Sequence, residues 1–236
     1  MLFPLKLNVE AILLGAILTS ASYLIGLHAG WITEISLLEV FSVFTSYWCT
    51  YLCVVQSRWN YPIGAISVAA LCLLFYQNNL LSSMALQIYL FPTLLYGWFR
   101  WREDANTRPV TFVQLKWYPA YIGLTAIVGE VCMYLNILLG GSNSFWDTSI
   151  LVLSILAQFM LDNKKLENWA VWLVVDIISV CLYWNQDLKI LAIQMGLFGL
   201  NALWGCYMWW KTYKSSTYSN FVEEFPTDTI RQETYK

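Results

Sequence analysis

The chain has 236 residues, 58% of them hydrophobic and only 12% charged. A soluble domain carries about 25% charged residues, so the composition excludes an ordinary soluble protein and points to a polytopic membrane protein. A net charge of −2 gives no basis for a nucleic-acid partner.

Eight apolar segments follow one another at roughly 9–30, 35–55, 62–78, 80–99, 118–139, 145–161, 169–184 and 188–210. Several are near the ~20 residues that a helix needs to cross a bilayer; the third and seventh are shorter. The first segment lacks a clear cleavage site and leads into further spans, so it is expected to be a retained helix. The only histidine, His28, stands between Gly26 and Gly30 at a helix end. The six cysteines all fall inside apolar runs and are expected to be small buried hydrophobes, with no disulfide framework and no metal cluster. From Lys211 the chain is Ser/Thr-rich and charged, and is expected to be disordered beyond about Ser215.

The connections set the orientation. Lys6, Arg58, Arg100, Arg102, Arg108, Lys116, Lys164, Lys165, Lys211, Lys214, Arg231 and Lys236 all fall on the side of the N-terminus, twelve of the thirteen Lys and Arg. Only Lys189 falls on the other. The positive-inside rule then places both termini in the cytoplasm, and this one-sidedness supports eight spans.

A repeat is visible at an offset of 108 residues. Trp59-Asn60-Tyr61 aligns with Glu167-Asn168-Trp169, Phe75-Tyr76 with Tyr183-Trp184, Tyr96-Gly97 with Trp204-Gly205, and Trp101 with Trp209. The unit is three helices, and segment five lies between the two copies. Moving from segment three to segment seven crosses the membrane four times, so the copies are parallel. Parallel repeats place a binding site between the halves near the midplane, and paired short segments point to it.

Segment seven carries the chemistry. Trp169, Trp172, Asp176 and Tyr183 share one helix face. Asp176 lies roughly 10 Å into a ~30 Å hydrocarbon slab. A charge there costs at least ~2.5 kcal/mol unless it faces protein or a wet cavity. Aromatic faces beside a buried acceptor suit a flat, hydroxylated or cationic ligand. The bland alternative is an aromatic belt plus a structural Asp. The first repeat has Gly64 and Val68 where the second has Trp172 and Asp176.

Further candidates are Gln87 in segment four and Gln194 and Asn201 in segment eight, the latter two sharing a face with Gly205. Their amides suit a carboxamide or ribose hydroxyls, or else interhelical bonds worth on average ~0.6 kcal/mol. Gln158 and Ser154 are expected to be packing or interhelical contacts. Glu130 and Asn136 lie in the linker segment, and a protonated Glu130 bonded inside the bundle is expected. Gly15, Gly26, Gly123 and Gly129 suggest close helix packing. Most of Tyr96, Trp98, Trp101, Trp204, Trp209 and Trp210 are expected to form an interfacial belt.

The run Glu167-Asn168-Trp169-x-x-Trp172-x-x-x-Asp176 resembles the signature of the PnuC family of bacterial nicotinamide riboside transporters, as do Gln87 with Tyr96-Gly97-Trp98, and Gly205 with Trp209. The resemblance covers about residues 35–211. It implies an all-α bundle of eight transmembrane helices similar to the SWEET transporters: an extra N-terminal helix (1–34), a three-helix repeat (35–101), a linker loop and helix (102–142), a second repeat (143–211) and a cytoplasmic tail (212–236). It also implies a homotrimer in the inner membrane. The function implied is vitamin uptake by facilitated diffusion, followed by trapping through cytoplasmic phosphorylation. The substrate is then expected to stack on Trp169 or Trp172. Asp176 and Asn201 would take the ribose, Gln87 or Asn136 the carboxamide, and Asn168, Gln194 and Tyr183 would complete the site. No cofactor is called for. The alternatives are a thiamine or riboflavin transporter, or a proton-coupled one relaying through Asp176 and Glu130. An intramembrane enzyme would need a nucleophile–His pair or a metal cluster, and the sequence offers neither.

Overall fold

A computed structural model describes residues 5–32, 35–77, 81–101, 109–138, 144–185 and 189–224. Each apolar segment forms a helix: α1 (Leu5–His28), α2 (Leu37–Val54), α3 (Asn60–Gln77), α4 (Leu81–Arg100), α5 (Tyr118–Leu138), α6 (Ser144–Asp162), α7 (Asn168–Asn185) and α8 (Lys189–Glu224). The only extended pairing among the described residues is a bridge between Thr111 and Lys165. Among the described residues, six helices are long and apolar enough to cross a membrane, namely α1, α2, α3, α5, α7 and α8. α3 and α7 have 18 residues, but so does α2, so shortness does not single them out.

The helix ends follow from local chemistry. α1 stops at Gly30, whose φ of +71° is the left-handed conformation that glycine adopts without cost. Trp31 N–H bonds to Gly26 O and Gly30 N–H to Leu27 O, the paired bonds of a Schellman end. α2 begins with Ser36, which accepts from the Glu39 N–H at 3.4 Å.

The two repeats show the same turn, bond for bond. At the end of α2, Ser57 N–H bonds to Leu52 O and Gln56 N–H to Cys53 O. At the end of α6, Lys165 N–H bonds to Met160 O and Lys164 N–H to Leu161 O. Gln56 and Lys164 hold φ of 54° and 48°, so two non-glycine residues occupy the left-handed position at equivalent sites. That conformation costs an L-residue roughly 1–2 kcal/mol. Asn60 then donates its side-chain amide to Ser57 O (2.7 Å), and Asn168 donates to Lys165 O (2.6 Å). Between repeats, α2 packs on α8 and α4 on α6, the exchange that a two-fold relation requires.

Several expectations are corrected here. α8 continues to Glu224 instead of ending near residue 210, so 212–224 is helical. No proline or glycine interrupts that stretch, and a helix already nucleated extends at little further cost. Residues 225–236 lie outside the described residues. Glu130 is exposed on α5 instead of bonded inside the bundle. Of the neighbouring elements, α5 packs on α6 and on the short turn at its own start, which leaves most of its surface open. Gly123 and Gly129 meet nothing within 4 Å for the same reason, whereas Gly15 lies against Phe44 and Gly26 against Ile190 and Ile32. Trp101 and Trp209 are not belt residues: they are 1% and 0% exposed, packed between the repeats.

The connection after α4 is tied down beside α7. Thr111 exchanges backbone bonds with Lys164 and Leu166. Glu167 accepts from the Val113 N–H at 2.8 Å and from the Tyr118 hydroxyl at 2.9 Å. Replacing Glu167 by Ala leaves that N–H without its acceptor and is expected to cost ~1–3 kcal/mol locally. Limited proteolysis should then cut near Val113 faster than in the parent protein, with α7 and α8 intact; an unchanged cleavage rate would show the clamp to be idle.

Candidate functional site

A cavity of about 230 Å³ lies between the two three-helix units. α7 supplies Trp172, Asp176, Ser179 and Tyr183, at i, i+4, i+7 and i+11, one face of the helix. α8 adds Gln194 and Asn201. The equivalent positions of the first repeat hold Gly64, Val68, Leu71 and Phe75 on α3 and Leu86 on α4, all lining the opposite wall. At these equivalent positions the second repeat is aromatic and polar and the first is apolar, although the first repeat also brings Ser46, Thr50, Asn60, Ser67 and Gln87 to the cavity.

Seven of the nine residues singled out in the sequence line this cavity: Gln87, Trp169, Trp172, Asp176, Tyr183, Gln194 and Asn201. Asn168 does not; it is fully buried, with its amide turned to Lys165 O. Asn136 lies on α5, and its side chain falls outside the described residues. Gln158 and Ser154, expected to be packing residues, are on the cavity wall. Glu130 is not, so no relay with Asp176 is assembled there.

Asp176 is 5% exposed, and its carboxylate has no hydrogen-bond partner among the described residues. A buried charge without a partner is costly, which makes Asp176 a candidate receptor for a cation or for hydroxyl donors. Gln194 is 1% exposed, and its Oε1 is also unpartnered. Among the described residues, neither Lys nor Arg lines the cavity. Trp172 is partly buried and offers its ring to the space. Trp169 is held more tightly: Gly205 lies under its ring, and Trp209 meets it edge-on with centroids 5.5 Å apart.

Several polar groups on or near the cavity were not foreseen. Ser46 and Ser67 share a hydrogen bond of 2.7 Å between α2 and α3. At the α6 end, Asp162 accepts from the Tyr61 hydroxyl (2.9 Å) and the Gln158 amide (3.0 Å). Ser179 could have been found, because it lies one turn beyond Asp176 on the same face. The Tyr61–Asp162 bond joins residues 101 apart and has no local signal.

Apolar spanning helices around a central cavity with one polar wall define a multi-pass membrane transporter for a small organic solute. Residues 36–211 match the model of the nicotinamide mononucleotide transporter family, and the chain belongs to that family. The nicotinamide riboside transporter PnuC of Escherichia coli is 25% identical, over 75% of this chain and 86% of its own. The riboflavin/roseoflavin transporter RibM of Streptomyces davaonensis is 28% identical, over 66% of this chain and 76% of its own. The crystal structure of the vitamin B3 transporter PnuC shares the fold, with a TM-score of 0.70 over 87% of this chain and 92% of that one, at 20% identity. α1 precedes the family-matched stretch.

Proposed function

We propose that this protein carries nicotinamide riboside across the bacterial inner membrane by facilitated diffusion, the riboside then being trapped in the cytoplasm by phosphorylation. The observation that carries the reading is the polar wall: one carboxylate, Asp176, beside Trp172, Asn201 and Gln194, with no Lys or Arg in the lining among the described residues. A pyridinium ring stacks on Trp172 and is attracted to Asp176; the ribose hydroxyls bond to Asp176 and Asn201, and Gln87 or Gln194 takes the carboxamide. A phosphate group would meet Asp176 with no cation to offset the repulsion, which favours the riboside over the mononucleotide named in the family's description.

The same proposal includes eight spans in a SWEET-like plan of one helix, three, a linker and three, with both termini cytoplasmic by the positive-inside rule. It also includes a homotrimer. Glu130 sits midway along the open surface of α5, where a carboxylate facing lipid costs at least ~2.5 kcal/mol. A neighbouring protomer over α5 removes that cost.

The test is thermal unfolding and calorimetry of the purified protein with nicotinamide riboside, its mononucleotide, thiamine and riboflavin. Nicotinamide riboside at a hundred times its Kd should stabilise the fold by about 2.7 kcal/mol. The mononucleotide should bind at least about tenfold more weakly, a loss of ~1.4 kcal/mol. A response to riboflavin or thiamine alone would overturn the substrate, and equal binding of riboside and mononucleotide would overturn the role given to Asp176. Riboside flux into liposomes should equilibrate whether or not a proton gradient is present; flux that stops without the gradient would replace facilitated diffusion with proton coupling.

A further inference from the structure

Beyond the cavity, toward the α2–α3 and α6–α7 turns, the two repeats hold each other by contacts that exchange under the 108-residue offset. The Trp209 indole N–H donates to the carbonyls of Cys53 and Val54 at 3.2 and 3.1 Å. The Trp101 indole N–H donates to the carbonyl of Asp162 at 3.1 Å, and Asp162 is the equivalent of Val54. These carbonyls belong to the last turns of α2 and α6, whose carbonyls run out of donors within the helix, although Cys53 O also accepts from the Gln56 N–H of the turn that follows. Each indole therefore caps a helix of the other repeat. Between them, the equivalent residues Gln56 and Lys164 touch directly, Lys164 Nζ donating to Gln56 Oε1 at 3.2 Å.

Tyr61, Trp101, Trp209 and Trp169 form a continuous ring layer, with neighbouring centroids 5.2, 6.4 and 5.5 Å apart. Tyr61, Trp101 and Trp209 are fully buried and do not line the cavity, whereas Trp169 and the neighbouring Cys53, Asn60 and Leu161 do, so the layer lies at the end of the cavity next to the turns. Three polar atoms in or beside it, Trp169 Nε1, Asn60 Oδ1 and Asn168 Oδ1, are buried without a protein partner. Buried orphans of this kind call for an explanation, and a second arrangement that hydrates the layer supplies one.

We propose that this layer is the gate at the cytoplasmic end of the transport path and that the Trp101 and Trp209 N–H bonds are its latches. The proposal rests on the transporter reading above. Solute leaves toward this end when the two indoles part from the opposite repeat, and water then takes over the freed carbonyls of Cys53, Val54 and Asp162. A latch made of two equivalent indole N–H groups can open without breaking either repeat internally.

Cys53 reports on the gate whatever the substrate, because it lies on the cavity wall and its carbonyl is one of the latched groups. In a variant keeping only that cysteine, a membrane-impermeant maleimide is applied to inside-out and right-side-out vesicles. Trp209→Phe retains a ring and removes the N–H. It is expected to raise labelling from the cytoplasmic face about two- to tenfold, the ratio one net hydrogen bond is worth, with no change from the outer face. Trp101→Phe should act in the same direction. Gln56→Gly suits the left-handed backbone, leaves the aromatic layer untouched and removes the bonds to Lys164 and Thr212; it should also raise cytoplasmic labelling. Unchanged labelling in all three variants, or an equal rise from both faces, overturns the gate. A rise from the outer face alone supports the gate and overturns the proposed orientation.

Discussion

Asp176→Asn is expected to weaken substrate binding while leaving the empty protein as stable as before, or more stable. The carboxylate is buried on the cavity wall with no partner among the described residues. In the empty protein it carries only the cost of removal from water, and the neutral amide lowers that cost. In the proposed complex the same group would make charge-assisted contacts, each worth ~1.5–3 kcal/mol. Losing one such contact lowers affinity about ten- to a hundredfold. Calorimetry for affinity and thermal unfolding for stability should therefore move in opposite directions. Val68→Ala, at the equivalent position of the other repeat, should cost little binding, because Val68 offers the substrate neither a charge nor a hydrogen bond. If Asp176→Asn destabilises the empty protein and leaves affinity unchanged, Asp176 is a structural residue and the polar wall is not the recognition surface.

The polar wall was legible in the sequence because it rests on one periodicity and one offset. Trp172, Asp176 and Tyr183 recur at helical spacing, and the comparison with Gly64, Val68 and Phe75 requires only the 108-residue shift. Cavity residues on α7 and α8 follow from those two facts. The gate layer did not follow. A tryptophan at a helix end reads the same whether it faces lipid headgroups or the other repeat, so Trp101 and Trp209 looked like belt residues. Only the packing of α2 on α8 and α4 on α6 decides between these readings. Glu130 failed for a related reason: α5 is apolar on nearly all sides, so its pattern cannot say which face meets the bundle. The Tyr61–Asp162 bond was hidden because the offset predicts no partner for it; Trp169 and Val54 occupy the equivalent positions, and neither carries a carboxylate.

The repeat also makes a strong claim about two glycines. Gly97 and Gly205 are equivalent, and each lies under the ring of an equivalent aromatic, Tyr61 or Trp169. A Cβ at 205 would fall 2.6 Å from three atoms of the Trp169 ring, and a Cβ at 97 would overlap the Tyr61 ring. Neither ring is free to retreat. Trp169 is braced edge-on by Trp209, which is itself bonded to two carbonyls of α2. Tyr61 is braced by Trp101 and bonded to Asp162. Gly205→Ala and Gly97→Ala are therefore each expected to destabilise by ~1–3 kcal/mol through overpacking. At about 2–4 °C per kcal/mol for a chain of this size, the unfolding midpoint should fall by several degrees. Gly123→Ala is the control. Its Cβ meets nothing within 4 Å, and alanine improves helix propensity by up to ~1 kcal/mol, so the midpoint should hold or rise. Trp169→Phe added to Gly205→Ala should recover part of the loss, because the smaller ring leaves room for the methyl group and the two sites are coupled by contact. A Gly205→Ala protein that melts like the parent would show that Trp169 has somewhere to go, and that the aromatic layer between the repeats is looser than its geometry implies.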